Sequence, residues 1–239
     1  MNKAPPSFAV VLALTALACA CAGGAIAAPR PAVVELYTSQ GCSSCPPADA
    51  LLGELKRQPN VLALAFHVDY WDGLGWADRF ALPLATQRQD RYAQRLKLAS
   101  VFTPQIVVDG RRSFVGSDRG GILPAIGGER DGVAVTMSGN AGDLIIDLGA
   151  GAPQSPADVL LLAVVPEAQT QIGRGENGGR TLREFNIVRA SYSLGSWSGS
   201  AHRYTVARSS LPADATEAAV LIQQPNQGSI LGAAIFAWH

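Results

Sequence analysis

The sequence of 239 residues lacks net charge, has few histidines and methionines, and has no long apolar segment after its first 27 residues. Its 19 basic residues are mostly arginines, scattered and matched by 19 carboxylates, which argues against a nucleic-acid-binding surface. We find no heptad pattern and no internal repeat. What remains is a globular composition, 48% hydrophobic, with enough apolar residues for one large or two small domains.

Residues 1–27 have the pattern of an export signal. Lys3 provides a positive start, residues 8–18 form a nearly unbroken apolar run, and Ala25-Ile26-Ala27 has the small-x-small pattern of a cleavage site. The run is short for a membrane span. We therefore expect a cleaved signal peptide and a periplasmic or secreted protein that meets the membrane only through this signal. Lipid attachment at Cys19 is the alternative.

Cysteine is scarce, and the placement of the cysteines indicates a reactive thiol pair. Cleavage would remove Cys19 and Cys21 and leave Cys42 and Cys45, whereas a stabilising disulfide framework needs more cysteines, farther apart. The C-x-x-C pair follows an apolar, β-branched run at residues 33–37 and precedes a helical pattern. We interpret Cys42 as an attacking thiolate and Cys45 as the thiol that resolves the mixed disulfide. An inert disulfide that ties strand to helix is the alternative.

Two prolines after the pair affect this interpretation. A residue before proline avoids the helical conformation, whereas proline suits the first helical position. The helix is therefore expected to begin at Pro46 or Pro47. Cys42 would then lie outside the helix, and its thiol would gain less from the positive helix end.

Residues 30–129 alternate between strand and helix patterns, which predicts a βαβ unit with parallel strands in an α/β fold. The predicted elements are strands at 33–38, 61–68 and 105–110, a hairpin return at 111–116, and helices at 48–57, 84–98 and 119–127.

A C-x-x-C pair after the first strand, with Thr103-Pro104 before the third, resembles thioredoxin-like proteins. The resemblance implies that Pro104 follows a cis peptide bond and packs against the disulfide, and that Thr103 and Pro104 shape a groove for an extended substrate. The motifs ELYTSQGCSSCPPAD, FHVDYWDGLGW, FTPQIVVDG and RGENGGRTL together resemble the bacterial secreted family called domain of unknown function 1223 (DUF1223). That family name implies no activity or substrate.

Residues 131–239 show a different pattern, with short apolar or alternating runs separated by Gly, Pro, Asn and Ser. This pattern predicts an antiparallel sandwich. The expected fold class is therefore an α/β thioredoxin-like fold at 30–129, followed by an all-β, sandwich-like domain at 131–239. The predicted strands are 133–137, 144–148, 159–165, 185–192, 202–207, 218–222 and 230–236.

Further candidate residues each have two interpretations. Gly41 could admit a close backbone or partner, or could be a simple turn glycine. Trp71 could face a substrate or cover the core. Asp69 directly follows a strand and could help proton transfer near Cys45, or could cap a turn. His67 could be hydrogen-bonded at a strand end or, with the thiols, bind copper or zinc.

These observations predict an exported thiol-disulfide oxidoreductase that acts on extracytoplasmic protein or small-molecule thiols. No cofactor and no metal are expected, and no nucleic-acid partner. The alternative is a non-catalytic binding module that handles copper or another metal or recruits a partner. The segment Arg174 to Arg180 could fold over the thiol pair or bind a partner, or could be a long hairpin.

Overall fold

The computed structural model of the chain describes residues 28–140 and 142–238. The signal peptide predicted at residues 1–27 and the alternative lipid site at Cys19 lie outside the described residues. The strands are β1 Ala28–Pro29, β2 Ala32–Thr38, β3 Val61–His67, β4 Gln105–Val108, β5 Arg112–Val115, β6 Asp131–Gly132, β7 Val135–Gly139, β8 Asp143–Leu148, β9 Ala157–Gln171, β10 Thr181–Trp197, β11 His202–Ala207, β12 Glu217–Gln223 and β13 Ile230–Ala237. The α-helices are α1 Pro46–Leu55, α2 Pro83–Leu96 and α3 Arg119–Ile126, and a 3₁₀ turn spans Arg208–Ser210.

The β2–α1–β3 unit positions the cysteine pair. β2 and β3 run parallel, with Thr38 paired with His67 at their ends, and every residue of both strands is buried. Such fully buried apolar strands need cover on both faces of the sheet. The turn after β2 leads through the cysteines into α1, so the thiols lie at the carboxyl ends of the two parallel strands.

The three helices cover both faces of this part of the sheet. Alternate side chains of β2, β3 and β4 pack with α1 and α3 on one face, and the intervening side chains pack with α2 on the other. The apolar residues of α1 and α3 match the buried sides of these helices, whereas the buried side of α2 carries Arg88 and Gln89 beside Ala85 and Tyr92. The predicted helices appear within two residues of their predicted bounds.

One eight-stranded sheet runs through both halves of the chain, in the order β13-β12-β9-β10-β3-β2-β4-β5. β9 and β10 form a long antiparallel hairpin, and β10 lies beside β3, with Ile187 paired with Ala65. A second sheet, β11-β8-β7, packs its apolar side chains against β9 and β12.

The predicted fold class, an α/β thioredoxin-like fold followed by an all-β sandwich-like domain, is wrong. The structure has 43% strand and 17% helix, with three α-helices in the described part of the chain and a large mixed sheet that draws strands from both halves. The predicted C-terminal strands exist, but β9, β10, β12 and β13 extend the first sheet. Without β10, β3 would be an edge strand with unpaired backbone groups, and β10 covers that edge.

Among the described residues, none of the helices combines the length and apolarity needed to cross a membrane. The division of the chain at residues 129–131 stays a prediction.

Candidate functional site

Cys42 and Cys45 lie at disulfide distance, with their Cα atoms 5.4 Å apart. α1 begins at Pro46 and Cys45 is its N-cap, so the predicted helix start is confirmed and Cys42 lies outside the helix. Both cysteines have no exposed surface. The Sγ atom of Cys42 lies 3.3 Å from the hydroxyl of Ser44. The pair is therefore preformed for disulfide chemistry but closed to solvent.

Gln40, two residues before Cys42, is held by groups from several elements. Its backbone N–H donates to Asp78 Oδ2 at 2.8 Å, and its side-chain Nε2 donates to both carboxylate oxygens of Glu184 at 3.0 Å. Its Oε1 accepts from the indole N–H of Trp76 at 3.0 Å. Since all three partners are distant in sequence, the turn that carries the thiols is fixed by tertiary structure.

The loop between β9 and β10, residues 172–180, covers the cysteine turn, and we call it the hairpin tip. The side-chain Nδ2 of Asn177 donates to two carbonyl oxygens of the turn at 3.0 Å each, one of them that of Cys42. The carboxylate of Glu176 accepts from the backbone N–H of Ser43 at 3.1 Å. Asn177 is itself 1% exposed. The segment is thus a hairpin whose tip packs over the cysteine turn, and the hypothesis that 174–180 binds a partner stays a prediction.

Trp71 covers the other side of the turn. Its indole N–H donates to the hydroxyl of Thr103 at 2.8 Å. A Cβ atom at Gly41 would lie 3.2 Å from the Cβ of Trp71, so glycine permits this close approach. Gly41, Trp71 and Thr103 therefore lie together next to the cysteine turn. In this closed arrangement the hydroxyl of Thr103 is engaged in a hydrogen bond with Trp71.

Pro104 lies next to the first turn of α1. The Thr103–Pro104 peptide bond is cis, as the resemblance implies. Pro104 is buried, and its Cβ and that of Ala48 both lie within 3 Å of the position that a Cβ at Gly116 would take. Gly116 thus allows the β5 end, Pro104 and α1 to meet.

A buried ionisable cluster underlies the cysteine turn. His67 Nδ1 donates to Asp78 Oδ2 at 2.6 Å and lies 3.9 Å from Glu184 Oε1, and all three side chains are at most 2% exposed. Burial disfavours the imidazolium, but the two carboxylates outweigh that effect and raise the pKa of His67 to about 9. The same pairing, with hydrogen bonds from backbone N–H groups, outweighs burial and lowers the pKa of Asp78.

Asp49 is the buried carboxyl group on α1 closest in chain to the pair. Its backbone N–H donates to the carbonyl of Cys45 at 3.1 Å, and its Oδ1 accepts from the hydroxyl of Thr38 at 2.9 Å. Burial raises the pKa of Asp49 to about 7, with the positive charge of His67 opposing that rise. A carboxyl group that exchanges protons near neutral pH is suited to general acid–base work.

Asp69, predicted from sequence for that role, is hydrogen-bonded to α2. Its carboxylate accepts from the hydroxyl of Thr86 on α2 at 2.5 Å, and its backbone N–H also donates to that hydroxyl. Sequence reasoning missed Asp49, although its position four residues after Cys45 puts it on the same side of the helix. No local sequence pattern predicts the role of Asp78 and Glu184, because their hydrogen bonds to Gln40 depend on long-range packing.

His67, Asp78 and Glu184 could in principle offer three ligand atoms to a metal ion, since those atoms lie within 4.8 Å of one another. The carboxylate oxygens of Asp78 are instead engaged in hydrogen bonds. They accept from His67 and from the backbone N–H groups of Gln40 and Phe80. The expectation that His67 is hydrogen-bonded at a strand end is confirmed. The donor atoms fit a hydrogen-bonded ion-pair network better than a metal centre.

Comparisons place the chain in a family. The family model for a protein of unknown function, DUF1223, matches residues 33–223. The chain belongs to this family. The crystal structure of protein AGR_C_4864 from Agrobacterium tumefaciens is similar, at 32% identity over 86% of this chain and 93% of that one, with a TM-score of 0.72. HBP35 of Porphyromonas gingivalis shares the fold at 13% identity, with a TM-score of 0.61 over 88% of this chain and 76% of that one. Among curated proteins, none matches.

Proposed function

We propose that the chain is a thiol-disulfide oxidoreductase in which Cys42 and Cys45 are the reacting groups. The observation that carries this proposal is a C-x-x-C pair at disulfide distance at the start of a helix, with a buried carboxyl group of raised pKa one turn along that helix. A purely structural disulfide would not need Asp49, whose buried charge lowers stability. The pair also closes a loop too short to constrain the unfolded chain strongly.

The reaction follows thiol-disulfide exchange. The thiolate of Cys42 attacks one sulfur of a substrate disulfide, the substrate S–S bond breaks, and the first substrate thiolate leaves. Cys45 then loses its proton and attacks the Cys42 sulfur, which releases the second substrate thiolate and forms the Cys42–Cys45 disulfide. Two electrons pass from the protein to the substrate, and the reverse steps oxidise a substrate dithiol. We assign Asp49 the proton that Cys45 loses or regains.

The closed site adds a requirement for access. Since neither cysteine has exposed surface, the groups packed over the turn, among them the hairpin tip and Trp71, must move before a substrate sulfur can reach Cys42. Three hydrogen bonds join the tip to the turn, two from Asn177 and one to Glu176, and the tip glycines Gly173 and Gly175 approach Trp76 closely. Net hydrogen bonds of this kind contribute about 1 kcal/mol each, so the three together favour the closed tip by about 3 kcal/mol.

We further propose a relationship to thioredoxin-like proteins at the level of this local site, where Thr103 and Pro104 flank the pair. The same proposal places the reaction outside the cytoplasm, on an extracytoplasmic thiol or a redox partner protein. Support comes from the signal-like pattern of residues 1–27 and from the restriction of later cysteines to this one pair.

The test is the reduction potential of the pair, measured by glutathione titration of the chain purified from an export-competent host. We expect a value between about −120 and −270 mV, the range of working thiol oxidoreductases. A matched pair of variants supports the assignment: Cys45→Ser should accumulate a mixed disulfide with a substrate thiol, whereas Cys42→Ser should not. A potential well below about −300 mV would identify an inert structural disulfide and overturn the proposal.

The alternative, a non-catalytic metal-handling module, predicts a different result. Purified protein would bind Zn²⁺ or Cu⁺ with loss of binding in His67→Gln, and the cysteines would resist disulfide formation. Retention of the redox couple in metal-free protein would count against that alternative.

A further inference from the structure

A cavity of about 680 Å³ lies at the end of the sheet opposite the thiols. It adjoins Asp109, whose carboxylate accepts from the backbone N–H of Val33 at the start of β2, whereas Cys42 follows the end of the same strand. The seven residues of β2 separate the two sites by roughly 20 Å. The volume falls within the range of about 300–1,000 Å³ that small-molecule sites occupy.

The floor of this cavity carries two guanidinium groups for one carboxylate. Arg30 Nη1 donates to one oxygen of Asp109 at 2.7 Å, and Arg130 Nε donates to the other at 2.6 Å. The side chains of Arg30, Asp109 and Arg130 are 5%, 10% and 13% exposed. Because buried charges are normally matched, this trio is one negative charge short.

Arg130 has other partners for its remaining donors. Its two terminal nitrogens donate to the carbonyl oxygens at the C-terminal end of α3 and just beyond, namely those of Ala125, Ile126, Gly127 and Gly128. These carbonyls form the negative end of the helix and partly match the Arg130 charge.

Arg30 is the guanidinium whose N–H donors are only partly engaged in hydrogen bonds within the described residues. All of its hydrogen bonds within the described residues are made by Nη1, and its buried Nε–H has no partner there. A guanidinium offers five N–H donors in a fixed fork that suits carboxylate and phosphate groups. An anion in the cavity would supply the missing charge, and it would accept from the Nη2 group of Arg30, which makes no hydrogen bond within the described residues.

The other residues that line the cavity indicate which chemical groups a ligand would carry besides its acidic group. The lining also includes apolar residues that are only partly buried, among them Val133, Pro153 and Leu231. The rim carries exposed charges of both signs that offset each other: Arg111, Arg112, Glu129 and Asp131. The uncompensated positive charge therefore lies at Arg30 and Arg130, next to apolar lining residues.

We propose that this cavity binds a small organic anion, a carboxylate or phosphate ester with an apolar body, whose acidic group pairs with Arg30. The site is separate from the thiols and does not depend on their activity.

The test is isothermal titration calorimetry on the purified, oxidised chain with phenylacetate, phenyl phosphate and inorganic phosphate. We expect saturable binding of at least one aromatic anion, with inorganic phosphate at least tenfold weaker. The preferred acidic group distinguishes a carboxylate ligand from a phosphate ester.

Three variants check the location. Arg30→Gln should weaken binding at least tenfold, and Ala152→Phe, which places a large side chain at an exposed lining position, should do the same without touching the Arg30–Asp109 pair. Arg95→Gln, an exposed arginine of α2 that does not line the cavity, should bind as the unaltered chain does. Absence of binding, unchanged affinity in both cavity variants, or inorganic phosphate binding as tightly as the aromatic anions would overturn the proposal.

Discussion

Replacing Asp49 by asparagine should stabilise the protein at neutral and alkaline pH. The carboxyl group is 8% exposed, and burial is the main reason that its pKa rises to about 7, against the attraction of His67 and the hydrogen bond from Thr38. Asparagine has nearly the same shape, keeps an acceptor for the Thr38 hydroxyl, and carries no charge to desolvate.

The magnitude follows from the difference between the folded and ordinary pKa values. The folded state binds more protons than the unfolded chain between the ordinary pKa of 3.8 and about 7, so the free energy of unfolding falls as pH rises through this window. At about 1.4 kcal/mol per pKa unit, the ionised carboxylate costs roughly 4 kcal/mol. Because the pKa of about 7 already includes the attraction to His67, we expect a gain of roughly 4 kcal/mol at pH 8 and almost none at pH 4.

Urea unfolding of the oxidised protein at pH 4, 6 and 8, followed by circular dichroism, measures this gain. Asp90→Asn on the exposed side of α2 is the matched control and should change stability little at any pH. If Asp49→Asn were destabilising at pH 8, or if its effect were independent of pH, the assignment of a buried carboxyl group with a raised pKa would be refuted. The same variant should exchange thiols more slowly near pH 7 despite its stability.

Three further predictions concern other parts of the structure. Asn177→Ala, with Asn60→Ala as a surface control, should raise the alkylation rate of the reduced thiols by about thirtyfold, because two hydrogen bonds of about 1 kcal/mol each close the hairpin tip; an unchanged rate would contradict that closure. The raised pKa of His67 contributes stability that is complete below pH 6.5 and is lost as pH rises to about 9, so urea titrations should show a fall over this window that His67→Gln removes. Glu35→Ala should cost about 3–5 kcal/mol in unfolding free energy, because it leaves a buried arginine unpaired; Glu54→Ala breaks an exposed pair and should cost no more than about 1 kcal/mol.

The sequence predicts local structure well wherever apolar periodicity determines it. α3 was expected at 119–127 and spans Arg119–Ile126, and the strand expected at 202–207 is β11. The helix start at Pro46 could be predicted because proline suits the first helical position, although Cys45 before it adopts a helical backbone conformation that residues before proline usually avoid. These signals depend on neighbours in the chain and need no tertiary information.

The same periodicity does not specify which strands become neighbours. The sequence predicts β9 and β10 as short strands at 159–165 and 185–192, because Pro166 and Gly195 interrupt the strand pattern, yet they span 15 and 17 residues. Sheet order depends on which edge is left unpaired, and no local pattern encodes it. The candidate site also combines residues that the sequence predicts with residues that it does not. The spacing of Cys42 and Cys45 identifies them, whereas Glu184 reaches the turn only because β10 lies beside β3.

The continuous sheet explains why the candidate site needs the second half of the chain. Glu184 holds the side chain of Gln40, and Asn177 holds the carbonyl of Cys42, and both lie on the β9–β10 hairpin or its tip. On the other face of the sheet, Gln223 of β12 accepts from Arg88 of α2 at 2.8 Å, beside the buried Glu35 pair. An isolated N-terminal half would therefore lose the cover over its thiols and leave β3 as an open edge. The β9–β10 hairpin therefore supplies contacts that the candidate thiol site needs.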